Sequence, residues 1–281
     1  MVERLDVQKT YKLFIGGAFP RSESGRTFAV SQPDGSLIAN VSRASRKDLR
    51  DAVRAARSAQ SGWAGRTAYN RGQILYRVAE VMEGRRTQFA EELRHCGVDA
   101  RAARREVGRA IDRWVWYAGW CDKFHQVAGT VNPVAGPYFN FTMPEPTGVV
   151  AIIAPDDLSL LGMTSRLAPA LVSGNTAVVV AGETSPLAAI AMAEVFATSD
   201  VPAGVVNVLT GSSDELLPWI LGHRDINAVD LTGAPSDLDP TVIGEAADNV
   251  KRLVRGQADE QSPYSIADFC EMKTVWHPVG R

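Results

Sequence analysis

Residues 148–186, GVVAIIAPDDLSLLGMTSRLAPALVSGNTAVVVAGETSP, decide how the rest of the chain is read. Residues 149–154 form an unbroken apolar run rich in β-branched side chains. The run is too short for a globular helix and predicts a buried parallel strand. Over 158–172, Leu158, Leu161, Met163, Leu167, Ala168 and Leu171 recur at helical spacing. Ser173–Gly174–Asn175 closes that helix, with Gly174 suited to the left-handed position past its end. Residues 176–181 are a second buried strand. Ligands of open parallel sheets sit at the carboxyl ends of the strands. Asp156, Asp157 and residues 180–183 are therefore the first candidates for a site. The two aspartates also read as caps of the helix starting at Leu158.

Composition narrows the function classes. A net charge of −2 with 22% charged residues argues against a nucleic-acid surface. Cys96, Cys121 and Cys270 are scattered, odd in number and without a CxxC pair, which fits a reduced, cytoplasmic chain. MVERLDVQKT places no apolar segment behind its charges, so no secretory leader is expected. No apolar run is long enough for a bilayer, and no metal is expected.

Working outward, residues 12–15, 27–30 and 37–41 read as short strands. Ser45 to Asp48 resembles a capping box ahead of a helix carrying Leu49, Val53, Ala56 and Ala59. Ile74, Leu75, Val78, Val81, Met82, Phe89 and Leu93 mark a long helix that stops near Gly97, and a third is expected over 102–125. Trp114, Trp116, Tyr117 and Trp120 on it read as helix packing rather than a stacking platform. Arg85–Arg86 and Arg104–Arg105 read as solvated faces. Residues 129–145 turn to Pro, Gly and β-formers, and 138–142 alternate as a protruding hairpin strand would. Beyond the central stretch, helices at 187–196, 216–221 and 240–249 alternate with strands at 205–209, 228–231 and 251–255. The sum is five parallel strands with helices on both faces.

FIGGAF, SGRTFAV, WYAGWCDKFH, EPTGVVAIIAP, LAPALVSGNTAVVV, PAGVVNVLTG and LTG resemble, in order and spacing, the NAD(P)-dependent aldehyde dehydrogenase superfamily over about residues 10–255. YSIADFCEMKTVWHP, at 264–278, resembles that family's C-terminal oligomerisation strand. The resemblance implies an α/β fold: a Rossmann-like five-stranded parallel sheet with N-terminal helices and a small antiparallel oligomerisation arm. It divides the chain into an N-terminal helical part (1–128), an oligomerisation hairpin (129–145), the sheet and its helices (146–255), and a linker with the C-terminal strand (256–281). The family's catalytic domain would lie where GQADEQSP now joins the two ends. In this the chain most resembles the inactive second half of two-domain aldehyde dehydrogenases.

The same resemblance carries expectations for the site. The family's nucleophilic cysteine belongs to the absent segment, and Cys270 is expected to be a packed strand residue. Asp156 and Asp157 stand where the family has a tryptophan and the oxyanion-hole asparagine, and a carboxylate cannot donate to an oxyanion. Val180 replaces a ribose-binding lysine, whereas the ribose-binding Glu183 is kept. Thr232 and Gly233 are kept from the pyrophosphate motif, but Ala234 replaces its serine and Leu238 its second glycine, obstructing phosphate approach. The general-base glutamate has no clear counterpart; Gln257 is the nearest residue. A carboxylate about 4 Å from a phosphate costs roughly 4 kcal/mol at an effective dielectric near 20. These substitutions lead to the expectation of no catalytic residue and no bound cofactor, NAD(P) being repelled from a degenerate cleft of Asp156, Asp157, Val180, Glu183, Gly233, Ala234 and Leu238. The expected function is a pseudoenzyme that forms a homo-oligomer or docks by strand addition onto a full-length aldehyde dehydrogenase, with no nucleic-acid or membrane partner. Two alternatives are an oxidoreductase with residual NAD(P) binding and a sensor of a cationic ligand at Asp156, Asp157 and Glu183.

Overall fold

A computed structural model describes residues 9–32 and 34–280. Most of the segment read for a leader lies outside them. Strands β1 (Thr27–Ser31) and β2 (Leu37–Ser42) precede helices α1 (Arg46–Ala64), α2 (Ala68–Gly84), α3 (Arg86–His95), α4 (Ala100–Ala118) and α5 (Phe124–Ala128). Helix α1 starts where its capping box predicts: Ser45 accepts from the Lys47 and Asp48 amides, and Asp48 accepts from the Ser45 amide. The single helix expected over 102–125 is two helices. It breaks at Gly119, a poor helix former, where three-residue turns take over from Trp120 to Tyr117 and from Cys121 to Ala118.

The remaining elements are β3 (Thr130–Asn132), β4 (Tyr138–Pro146), β5 (Val149–Ile153), α6 (Ser159–Val172), β6 (Thr176–Val180), α7 (Leu187–Thr198), β7 (Val206–Leu209), α8 (Ser213–Gly222), β8 (Ala228–Asp230), α9 (Pro240–Asp248), β9 (Arg252–Val254), α10 (Tyr264–Ala267) and β10 (Cys270–Pro278). The five-stranded sheet is parallel throughout, in the order β7-β6-β5-β8-β9. Its order reverses at β5, so the crevice between the β5 and β8 ends is the switch point where such folds bind ligands. Alternate residues of β5 feed two cores: Val150 and Ile152 pack with α2, α4, α6 and α7, whereas Val149, Ala151 and Ile153 pack with α1 and α8. The strand expected at 12–15 makes only isolated bridges, among them Phe14 to Val208, which covers the β7 edge. A separate antiparallel sheet has the order β10-β4-β3, with Cys270 opposite Pro146 and Pro278 opposite Tyr138.

Helix α6 is buried at every position, Arg166 included. Nothing but charge makes that tolerable. The Arg166 Nε lies 2.5 Å from an equally buried Asp230 carboxylate on β8. Its other nitrogens lie 3.3 Å from Glu260 and 3.6 Å from Asp268. A Cβ on Gly256 would fall onto the Arg166 guanidinium, so only glycine lets the chain pass there. Arg113 on α4 donates to the Asp259 and Glu260 carbonyls and to the Gln261 side chain. The linker at 256–263 is thus clamped by two arginines.

Replacing Arg166 by Met is expected to cost about 3–5 kcal/mol, because it strands the Asp230 carboxylate in the core. The loss is read as a lower urea midpoint at unchanged slope. Adding Asp230→Leu in the same chain should recover most of it.

Candidate functional site

Three loops meet at the carboxyl ends of β5, β6 and β8. Asp156 follows β5, but its Oδ1 is not bare: it accepts from the Thr184 amide at 2.9 Å and the Thr184 hydroxyl at 3.0 Å. It therefore staples the β5 and β6 loops together. Leu158, at the N-cap position of α6, has a left-handed backbone with φ of 53°, an unusual conformation for a leucine, and no side chain caps from that position. The expected caps, Asp156 and Asp157, are corrected here. A carboxylate from α4 takes the role: Glu106 Oε1 accepts from the Leu160 amide at 2.9 Å and the Leu161 amide at 3.1 Å. Burial pushes the Glu106 carboxyl above its ordinary range, against the pull of those two amides and of Arg109.

Glu183, after β6, accepts from the Ser213 amide at 2.7 Å and the Ser213 hydroxyl at 3.0 Å, and so caps α8 from outside the helix. With Phe28, Arg43, Gly211 and Ser212 it lines a cavity of about 180 Å³. That is smaller than the usual site for a drug-sized ligand. Two larger hollows, about 920 and 940 Å³, lie elsewhere, between α2 and the end of α4 and between α1 and α8. Val180 is buried in the core and does not line that cavity.

Gly233 follows β8. A Cβ there would lie 2.3 Å from the Ala154 carbonyl oxygen, so glycine lets the β5 and β8 ends press together. Ala234 is buried, and Leu238 packs against the same core. The helix that Leu238 was expected to obstruct does not begin there. It starts at Pro240 behind Asp239, whose side chain accepts from the Thr241 amide. Arg255 closes the turn by donating to the Leu231 carbonyl at 2.9 Å and the Ala234 carbonyl at 3.1 Å.

None of the three thiols is activated. Burial pushes Cys121 up to about 12 and Cys270 up to about 11, and it raises Cys96 as well. Among the described residues, no group of three His, Cys, Asp or Glu side chains could hold a metal, and no helix is long and apolar enough to cross a membrane. Glu106, Arg113 and Arg166 went unread in the sequence, although two of them left a signal. Glu106 falls in the buried stripe of Ala103, Val107 and Ala110, and Arg166 is the lone charge in a fourteen-residue buried helix.

The model of the Aldehyde dehydrogenase family matches residues 19–275. Cytosolic 10-formyltetrahydrofolate dehydrogenase of Mus musculus is 34% identical over 278 residues, 96% of this chain and 31% of that protein. The NAD+ complex of the aldehyde dehydrogenase from Bacillus cereus is similar with a TM-score of 0.80 at 29% identity, covering 87% of this chain and 50% of that one. PnpE, from Pseudomonas sp. WBC-3, in complex with nicotinamide adenine dinucleotide is similar with the same TM-score, identity and coverage. The chain therefore spans about a third of the first protein and half of the other two.

These findings overturn the expectation that the cleft takes no cofactor: the family and the two dinucleotide complexes point to NAD(P) binding. Asp156 is already held by two donors, and Leu238 directly precedes Asp239, the N-cap of α9.

A testable consequence attaches to Glu106. Its folded-state pKa is raised, so stability falls as pH climbs from the ordinary glutamate range through the elevated value. Glu106→Gln keeps an acceptor for both amides without the charge. Its Tm relative to the parent chain should therefore rise as pH climbs above the ordinary glutamate range, whereas a pH-independent difference would rule this role out.

Proposed function

The chain belongs to the aldehyde dehydrogenase family, and on that premise we propose that it is a cofactor-binding half that works by association with family subunits rather than by oxidising aldehyde alone. The observation that carries this reading is the state of its thiols. Aldehyde oxidation in the family needs a thiolate, and burial keeps Cys96, Cys121 and Cys270 protonated. In the same reading, residues 1–128 and 146–255 build the cofactor-binding body, and 129–145 with 256–281 build the linker and arm. A reduced, cytoplasmic setting belongs to it too, supported by three unpaired cysteines.

For NAD(P), the residues present fit the adenosine end. Glu183 would take the ribose hydroxyls, exchanging its bonds to Ser213 for them. The backbone of the turn at Gly233 and Ala234 would face the phosphates, with Asp157 beside it and Asp156 tied back to Thr184. Val180 offers no contact. When bound, the dinucleotide would supply a hydride acceptor. Partner choice rests on the arm, whose exposed aromatic and apolar side chains, Val131, Tyr138, Phe139, Met143 and Trp276, suit another protein surface.

Titration of the purified chain with NADH, followed by nucleotide fluorescence, should give saturable binding that Glu183→Ala weakens about tenfold or more, the scale of a lost charged hydrogen bond. Glu183→Gln should fall between. The chain supplied with NAD+ and an aldehyde should produce no NADH. Turnover that vanishes when one of its own cysteines is changed to serine would refute the proposal.

A further inference from the structure

Helices α3 and α4 leave a hollow of about 430 Å³ between them, which shares no lining residue with the cavity at Glu183. Thr87, Ala90, Glu91 and Arg94 line it from α3, at the spacing that puts residues on one face of a helix. Arg104 and Val107, about one turn apart, line it from α4, and Arg86 joins them. The fold thus divides the two arginine pairs of the sequence. Arg85 turns to Glu194 and Arg105 does not line the hollow, whereas Arg86 and Arg104 come together with Arg94.

Three guanidiniums meet a single carboxylate there, that of Glu91, and among the described residues neither Arg94 nor Arg104 forms an ion pair. Arg86 holds only the exposed Glu83, at 2.8 Å. Arg104 donates through Nε to the Ala100 carbonyl at 3.2 Å, which leaves its two terminal nitrogens. The floor is apolar and closed, with Ala90 8% and Val107 1% exposed. Like charges gathered in one hollow repel each other, and an anion placed among them relieves that cost. We propose that this hollow binds a small phosphate monoester. Arg86, Arg94, Arg104 and the Thr87 hydroxyl grip its phosphate, and its organic part rests on Ala90 and Val107. Guanidinium forks match phosphate oxygens in pairs, which point-charge lysines do not. The volume falls in the range of small-molecule sites.

Isothermal titration of the full chain with phenyl phosphate, at about 50 mM salt to limit screening, should show one saturable site, and benzoate should show none. Arg94→Ala and Arg104→Ala should each weaken binding about tenfold or more, the scale of a lost charge-assisted hydrogen bond. Arg94→Lys should fall between. Glu91→Gln removes the opposing carboxylate and should tighten binding severalfold. Arg105→Ala, on the same helix but outside the hollow, should leave it unchanged, as should Glu183→Ala at the strand ends. Thermal melts by circular dichroism show whether each variant is folded. Absence of saturable binding at millimolar phenyl phosphate overturns the inference. So does binding that Arg105→Ala weakens as much as Arg94→Ala, the mark of a diffuse basic surface, or binding lost with Glu183→Ala, the mark of the crevice. A phosphoserine peptide that binds about tenfold more tightly than phenyl phosphate would assign the hollow to a protein partner and also overturn it.

Discussion

The ion pair of Arg166 with Asp230 is the constraint around which this chain closes. A guanidinium with no solvent contact is held in the core only if acids come to it, since its desolvation otherwise exceeds what one pair returns. Burial by itself would draw the Arg166 pKa down, but the carboxylates around it, Asp230 foremost, hold it up. The contributions are unequal. The Asp268 carboxyl is raised by its own burial more than Arg166 lowers it, and it stands farther off. The pair with Asp230 therefore carries most of the attraction, and Glu260 with Asp268 serves to bring the returning chain over α6.

What that return achieves is a rigid base for the arm. Asn175, wholly buried, accepts from the Gly148 amide at 2.7 Å and donates to the Phe269 carbonyl at 2.8 Å, tying the start of β5 to the segment entering β10. The Thr147 amide donates to the same carbonyl at 3.1 Å. Strands β4 and β10 thus leave the body from one cross-linked point, and the linker between β9 and α10 need span only the path that Arg113 and Arg166 fix. A loose connection of the same length would leave the register of β10 on β4 to the sheet alone. Such registers slip where neither face is buried.

The parallel sheet was legible because both signals it leaves are local. Short apolar runs alternate with helical periodicity, and Gly and Pro punctuate them, so the strand order and the arm follow from the resemblance they support. Interactions between distant residues were not legible. Glu106 meets the amides of Leu160 and Leu161 from more than fifty positions away, and no spacing rule joins them. Arg113 and Arg166 bind backbone carbonyls or acids supplied by a linker that composition alone marks as loose. The break at Gly119 and the late start of α9 at Pro240 fall where helix boundaries are weakly encoded.

The cleft shows how a count of charges misleads. From sequence, each acid near the strand ends is a bare negative charge, worth roughly 4 kcal/mol of repulsion toward a phosphate about 4 Å away. Folded, two of the three acids counted there already have donors, Thr184 for Asp156 and Ser213 for Glu183, while Asp157 stays exposed. A carboxylate that accepts two hydrogen bonds offers less unscreened field to its surroundings, and Glu183 is turned onto the start of α8, whose dipole favours it. The field a dinucleotide would meet is set by which donors these acids keep. For Glu183 the relevant quantity is the difference between its two bonds to Ser213 and those it could make to ribose hydroxyls, which are donors of the same kind. An exchange between like donors is close to balanced, so an acid at that position is compatible with the nucleotide while the bare charge count forbids it.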